Sequence, residues 1–89
     1  MELRWLAAFV TVAEELNFRR AAQRLHVAQP AVSQQIMNLE KELGIRLFDR
    51  NNRSVQLTDA GEAYLTPCRQ ALKVIDGAGL LAQIGRAHV

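Results

Sequence analysis

The segment from Gln29 to Gly44 constrains the fold more than any other part of this chain. Val32, Ile36, Leu39 and Leu43 recur at steps of 4, 3 and 4, the spacing that puts side chains on one face of an α-helix. Proline at position 30 suits the first helical turn, where its missing N–H has no intrahelical partner anyway. Gly44 suits the left-handed position just past a helix end. With the stripe turned inward, Pro30, Gln34, Met37, Asn38 and Lys41 face outward, and Gln29 and Ser33 flank the N-terminal end. The segment is therefore a helix with one buried face and one polar, partly basic face.

The rest of the chain supplies what that helix packs against. Leu3, Leu6, Phe9, Val10, Ala13 and Leu16 make a first amphipathic helix over Leu3 to Leu16, with Asn17 ending it or capping the next element. Arg19 to His26 is a second, short helix whose small face, Ala21, Ala22 and Leu25, lets a neighbour approach closely. His26-Val27-Ala28 is the turn between it and the helix at Gln29. After Gly44 the period changes. Leu47 to Arg50 and Ser54 to Leu57 read as two short strands around Asn51-Asn52-Arg53, since asparagine tolerates the positive φ of tight turns. Two such strands are marginal alone and must lean on the helices. Thr58 is a good N-cap, with Asp59 and Glu62 at the positive end of the helix dipole. A long helix follows, in which Leu65, Cys68, Leu72 and Ile75 form a seam. Pro67 should kink or loosen it, and Gly77 and Gly79 should make it fade between Asp76 and Ile84.

Charge narrows the choice of partner. The net charge is only +2, but residues 19–53 hold seven Lys and Arg against three Asp and Glu, while residues 1–18 hold one against three. A basic middle third points to an anionic partner there. Helix, short helix, three-residue turn, helix, hairpin and helix is the order of a winged helix-turn-helix, a mainly α fold with a small β-hairpin wing, here followed by a long dimerisation helix. In that arrangement the later helix of the pair enters the DNA major groove, N-terminal residues foremost. Gln29, Pro30, Ser33 and Gln34 are the candidate base contacts; glutamine pairs bidentately with adenine, and serine bonds a base or a phosphate. Arg19, Arg20, Arg24, Gln35, Arg50 and Arg53 are the candidate phosphate or wing contacts.

Other functions are disfavoured. The longest apolar run, Trp5 to Val10, is too short to span a membrane, and Met1-Glu2-Leu3 lacks the basic start of a signal peptide. A single cysteine, Cys68, fits a reducing compartment, hence the cytoplasm. One cysteine and two widely spaced histidines make no metal cluster. No nucleophile–base pair, paired carboxylates or glycine-rich phosphate loop points to catalysis, and no cofactor is expected. The alternative to DNA binding is a winged-helix module that binds protein; the polar outer face of the third helix argues against it.

Several stretches resemble the LysR-type transcriptional regulators. They are Phe18-Arg19-Arg20-Ala21-Ala22-Gln23-Arg24-Leu25 with Gln29-Pro30-Ala31-Val32-Ser33-Gln34-Gln35-Ile36, then Leu39 to Arg50, then Leu57-Thr58-Asp59-Ala60-Gly61-Glu62. The resemblance implies a bacterial regulator of transcription with the third helix in the major groove and the wing in the adjacent minor groove. It also implies that the fourth helix is a linker making an antiparallel homodimer contact, that a C-terminal domain binds a small-molecule effector, and that the whole protein is a tetramer. On this reading residues 1–58 are the DNA-binding domain, with the helix-turn-helix at about 18–43 and the wing at about 46–57. Residues 59–84 are the dimerisation helix, with Leu65, Cys68, Leu72 and Ile75 at the interface. Residues 85–89 begin a hinge to a domain outside this sequence. Four positions depart from the family pattern. Arg19 stands for the usual Ser or Thr cap, and Ala28 for a frequent Ser. Ala31 stands for a second proline, and Gln34 for a common arginine.

Overall fold

A computed structural model describes the backbone of residues 1–50 and 54–87 and the side chains of 1–50 and 54–76. The chain forms α1 (Leu3–Glu15), α2 (Phe18–Leu25), α3 (Gln29–Leu43), β1 (Phe48–Asp49), β2 (Gln56–Leu57) and α4 (Asp59–Ala87). β1 and β2 pair antiparallel, with Phe48 opposite Leu57 and Asp49 opposite Gln56.

α1 is the central element. Leu6, Ala8, Phe9, Val10, Thr11, Val12 and Ala13 are all buried, so the helix is enclosed well beyond one stripe, with α2, α3 and α4 all packed on it. Thr11 is tolerated inside because its hydroxyl donates to the Ala7 carbonyl at 2.7 Å. Leu3, expected on the core stripe, is instead 49% exposed in the first turn. Val32, Ile36 and Leu39 of α3 are fully buried against this helix together with Leu47 and Phe48. The Phe9 ring lies 5.5 Å from Phe48 and 5.6 Å from Tyr64. One aromatic cluster thus joins α1, the hairpin and α4.

The helix ends follow local chemistry. The Asn17 side chain accepts the Arg20 N–H at 2.9 Å, which supplies the cap that Arg19 cannot. Ala28, without a side-chain acceptor, opens α3 with backbone bonds alone. Gly44 closes α3 at φ 71°, in the left-handed region where a Cβ is disfavoured. His26 closes α2 in the same region, at φ 57°.

The hairpin is shorter than the sequence pattern predicts, and its flanks show why. The Leu47 N–H goes to the Glu40 carboxylate at 2.8 Å, and the Leu47 carbonyl accepts the Thr58 N–H at 3.0 Å. The Leu47 N–H is thus spent on α3, while its carbonyl bonds Thr58, the residue opposite it in the register, where the chain turns into α4. The expected turn Asn51-Asn52-Arg53 lies outside the described residues.

α4 departs from expectation in two ways. It runs as one helix through Pro67, held on either side by Leu65, Cys68 and Leu72 resting on the core. It also continues to Ala87, across the stretch where it was expected to fade. Glycine lowers helix stability by about 1 kcal/mol per residue but imposes no terminus by itself.

Candidate nucleic-acid interface

The N-terminal half of α3 presents the polar surface its pattern implies. Gln29, Pro30 and Gln34 are exposed, while Ser33 and Gln35 are half-buried beside the Val32–Ile36 stripe. The Gln34 amide donates to the Asn38 side chain at 2.9 Å, one turn further along the same face. That bond orients Gln34 and leaves its carbonyl oxygen available to a ligand. The rigidity behind this face comes from Val32, Ile36 and Leu39, each at 0% exposure.

The candidate cations separate into two groups. Arg19 and Arg20 are exposed in the first turn of α2, and no described ion pair holds them. Arg24 is engaged within the fold: its guanidinium meets Glu14 at 3.0 Å and Glu15 at 3.1 Å. Hydrogen bonds to Glu14 and then Glu15 raise its pKa further, so it stays charged at any accessible pH. Arg69 of α4 shares Glu14 at 3.2 Å. The Arg24 side chain therefore ties α2 to α1.

Arg50 is also engaged within the fold. Its guanidinium lies 3.4 Å from Glu40 and 5.1 Å from the centre of the Phe18 ring, and its Nε is buried with no hydrogen-bond partner among the described residues. The side chain links the hairpin, α3 and the start of α2. Arg53 lies outside the described residues.

Glu40 is the residue that sequence reasoning missed. Only 7% exposed, its carboxylate accepts the N–H of Leu47 at 2.8 Å and of Phe48 at 3.3 Å. It also faces Arg50 at 3.4 Å and Arg46 at 3.6 Å. A buried carboxylate needs such company, because an unpaired one is costly in a low-dielectric interior. The signal was present: Glu40 stands four residues after Ile36 and next to Leu39, on the inward face, with arginines six and ten residues on.

Beside this cluster, an open cleft of about 660 Å³ lies along the outer face of α3, with Gln34, Met37, Asn38 and Lys41 of that helix, Ile45 and Arg46 after it, and Arg50 on its walls. Arg46 is 67% exposed, and Lys41 is exposed as well.

The predicted α4 seam is partly consumed by the protein's own core. Cys68 is 3% exposed and belongs to the buried cluster, and Leu65 and Leu72 rest against it. The helix rests on α1, whose Phe9 and Glu14 reach Tyr64 and Arg69. Ile75, 40% exposed, and Val74, 72% exposed, remain uncovered. Burial raises the Cys68 thiol above its ordinary range, which makes it an unreactive packing group at neutral pH.

Among the described residues no group of His, Cys, Asp and Glu could hold a metal ion, and no helix is long and apolar enough to cross a membrane.

Comparison with known proteins agrees with this architecture. Residues 3–62 match the family model for the bacterial regulatory helix-turn-helix protein, lysR family. The HTH-type transcriptional regulator YnfL of Escherichia coli is 53% identical over 93% of this chain, which spans 28% of that relative's length. Full-length OxyR from Pseudomonas aeruginosa superimposes with a TM-score of 0.92 at 41% identity, over 96% of this chain and 29% of that one. BenM_DBD, in a complex with catB site 1 DNA, superimposes with a TM-score of 0.88 at 42% identity, over 93% of both chains. With more than half of its residues inside the matched model, the chain belongs to the lysR family of bacterial regulatory helix-turn-helix proteins.

Proposed function

We propose that this chain binds double-stranded DNA sequence-specifically and serves transcription regulation in the bacterial cytoplasm. The N-terminal half of α3 enters the major groove and the hairpin acts as a wing at the adjacent minor groove. The observation that carries this reading is the exposed Gln29, Pro30 and Gln34 face, with Ser33 at its edge, mounted on the fully buried Val32, Ile36 and Leu39. A rigid helix with a polar, hydrogen-bonding outer face is what base readout requires. Arg19, Arg20 and the wing residue Arg53 supply phosphate or minor-groove contacts that fix register. The likeness to a chain solved in a DNA complex supports the same reading.

The working unit is a homodimer. α4 extends away from the helix-turn-helix core, and its uncovered Val74 and Ile75 lie beyond the part of the seam spent on that core. In the whole protein, of which relatives are more than three times as long, a further domain binds a small-molecule effector and the assembly is a tetramer.

Selection of duplexes from a random library, followed by sequencing, tests the reading. It predicts a two-fold symmetric motif with half-sites separated by about one helical turn or a multiple of it. Recovery of unenriched sequence would refute it.

A further inference from the structure

We propose that Asn38 is a positioning residue for specificity: its side-chain oxygen holds the Gln34 amide in the orientation that selects adenine. The proposal rests on the reading of α3 as the major-groove element. The two residues stand one turn apart on the polar face of that helix, and Gln34 Nε2 donates to Asn38 Oδ1 at 2.9 Å. Gln34 is exposed, while Asn38 is half-buried between the fully buried Ile36 and Leu39 turns. The anchor is therefore the more constrained of the pair, and the reader is the one that reaches out.

A primary amide carries two N–H donors and one carbonyl acceptor. The bond to Asn38 takes one N–H and leaves one N–H and the carbonyl for a base. Among the four bases only adenine presents a donor and an acceptor side by side on its major-groove edge, N6–H and N7. Guanine presents two acceptors there, so the Gln34 carbonyl would face O6 with no proton between them. An exposed glutamine without a partner can turn its amide end for end and offer nitrogen or oxygen to the same base atom, which blurs that choice. Fixing the nitrogen on Asn38 before DNA arrives removes the ambiguity and the ordering cost together. An amide pair four residues apart adds little to helix stability, so losing it should change base preference and not folding.

The test is selection of duplexes from a random library by the wild type, Gln34→Ala, Gln34→Arg, Asn38→Ala and Asn38→Asp, compared column by column after sequencing. One half-site column should favour adenine over guanine by about fivefold or more in the wild type. Gln34→Arg, which offers donors only, should turn that column to guanine. Gln34→Ala and Asn38→Ala should each flatten it and leave the other columns as they were. Asn38→Asp keeps an acceptor oxygen at the same place and should keep the adenine, though its charge lowers affinity on every duplex. In equilibrium binding, Asn38→Ala should have no further effect on the adenine-to-guanine ratio once Gln34 is alanine. Thermal unfolding by circular dichroism establishes that each variant is folded. A wild-type column of guanine at the position that responds to Gln34→Arg would overturn the proposal. So would an unchanged column in Asn38→Ala, or a column lost in Asn38→Asp. Each of these leaves the DNA-binding reading intact as long as the wild type enriches a motif. No enriched motif in the wild type would overturn both.

Discussion

Glu40→Ala removes the acceptor on which the wing is hung, and its cost follows from the geometry. The carboxylate bonds two backbone amides at 2.8 and 3.3 Å and faces Arg50 at 3.4 Å, at 7% exposure. Truncation leaves the Leu47 and Phe48 N–H groups without an acceptor, and each buried unmet donor costs about 1–3 kcal/mol. It also leaves the Arg50 guanidinium beside Phe18 without its counter-charge; breaking a buried pair costs about 3–5 kcal/mol. The terms overlap, and Arg46, at 67% exposure, adds little because water screens it. The expected loss is about 3–4 kcal/mol, a large share of the roughly 5–13 kcal/mol that a chain of this size commands. At about 4–8 °C per kcal/mol the melting temperature should fall by roughly 12–30 °C. Glu40→Gln keeps one oxygen for the two amides, but it loses the charge and turns an NH2 donor toward Arg50, so an intermediate loss of about 2–3 kcal/mol is expected. Urea unfolding followed by circular dichroism at fixed protein concentration reads both. A Glu40→Ala variant within 1 kcal/mol of wild type, or a Glu40→Gln variant as unstable as it, would refute the reasoning.

Other contacts make sharper local predictions. At Gly61 an added Cβ would overlap the Leu47 carbonyl oxygen, so Gly61→Ala should cost about 1–3 kcal/mol in urea unfolding by pushing α4 off the wing. Asn17→Ala removes the α2 cap and should cost about 1 kcal/mol, while Asn17→Ser should recover most of it. Burial raises both Cys68 and Tyr64 above their ordinary ranges, so the folded chain holds these protons more tightly than the unfolded one. The resulting stability is full below the unfolded thiol value of about 8.5 and is lost as pH rises through the folded values. Urea midpoints should decline above about pH 9, and less steeply in Cys68→Ala.

Helix positions were legible because they depend on local rules. The 4-3-4 spacing of Val32, Ile36, Leu39 and Leu43, the proline at the start of α3 and Gly44 at its end each act within a turn or two of chain. Asn17 and Thr58 cap within three residues; Thr58 accepts the Gly61 N–H at 3.0 Å. What the pattern did not reveal depends on residues distant in sequence. Glu40 looks like one more helix-surface charge until the hairpin folds back and brings the amides of Leu47 and Phe48 to it. Arg24 and Arg50 look like free cations until α1 and α3 present their carboxylates. Cys68 belongs to an apparent interface seam until α4 folds against α1. In each case the choice between solvent, ligand and core is made by tertiary packing, which hydrophobic period alone does not encode.

Base readout by the N-terminal half of α3 is the central claim, and the affinity ratio between a selected and a random duplex tests it most directly. Gln29→Ala and Ser33→Ala lie outside the core, so the fold should survive both. Each should lower the ratio by about fivefold or more, as loss of one specific base contact worth about 1–3 kcal/mol requires, while affinity for random duplex stays within about twofold. A ratio near one in the wild type, or an unchanged ratio in both variants, would contradict it.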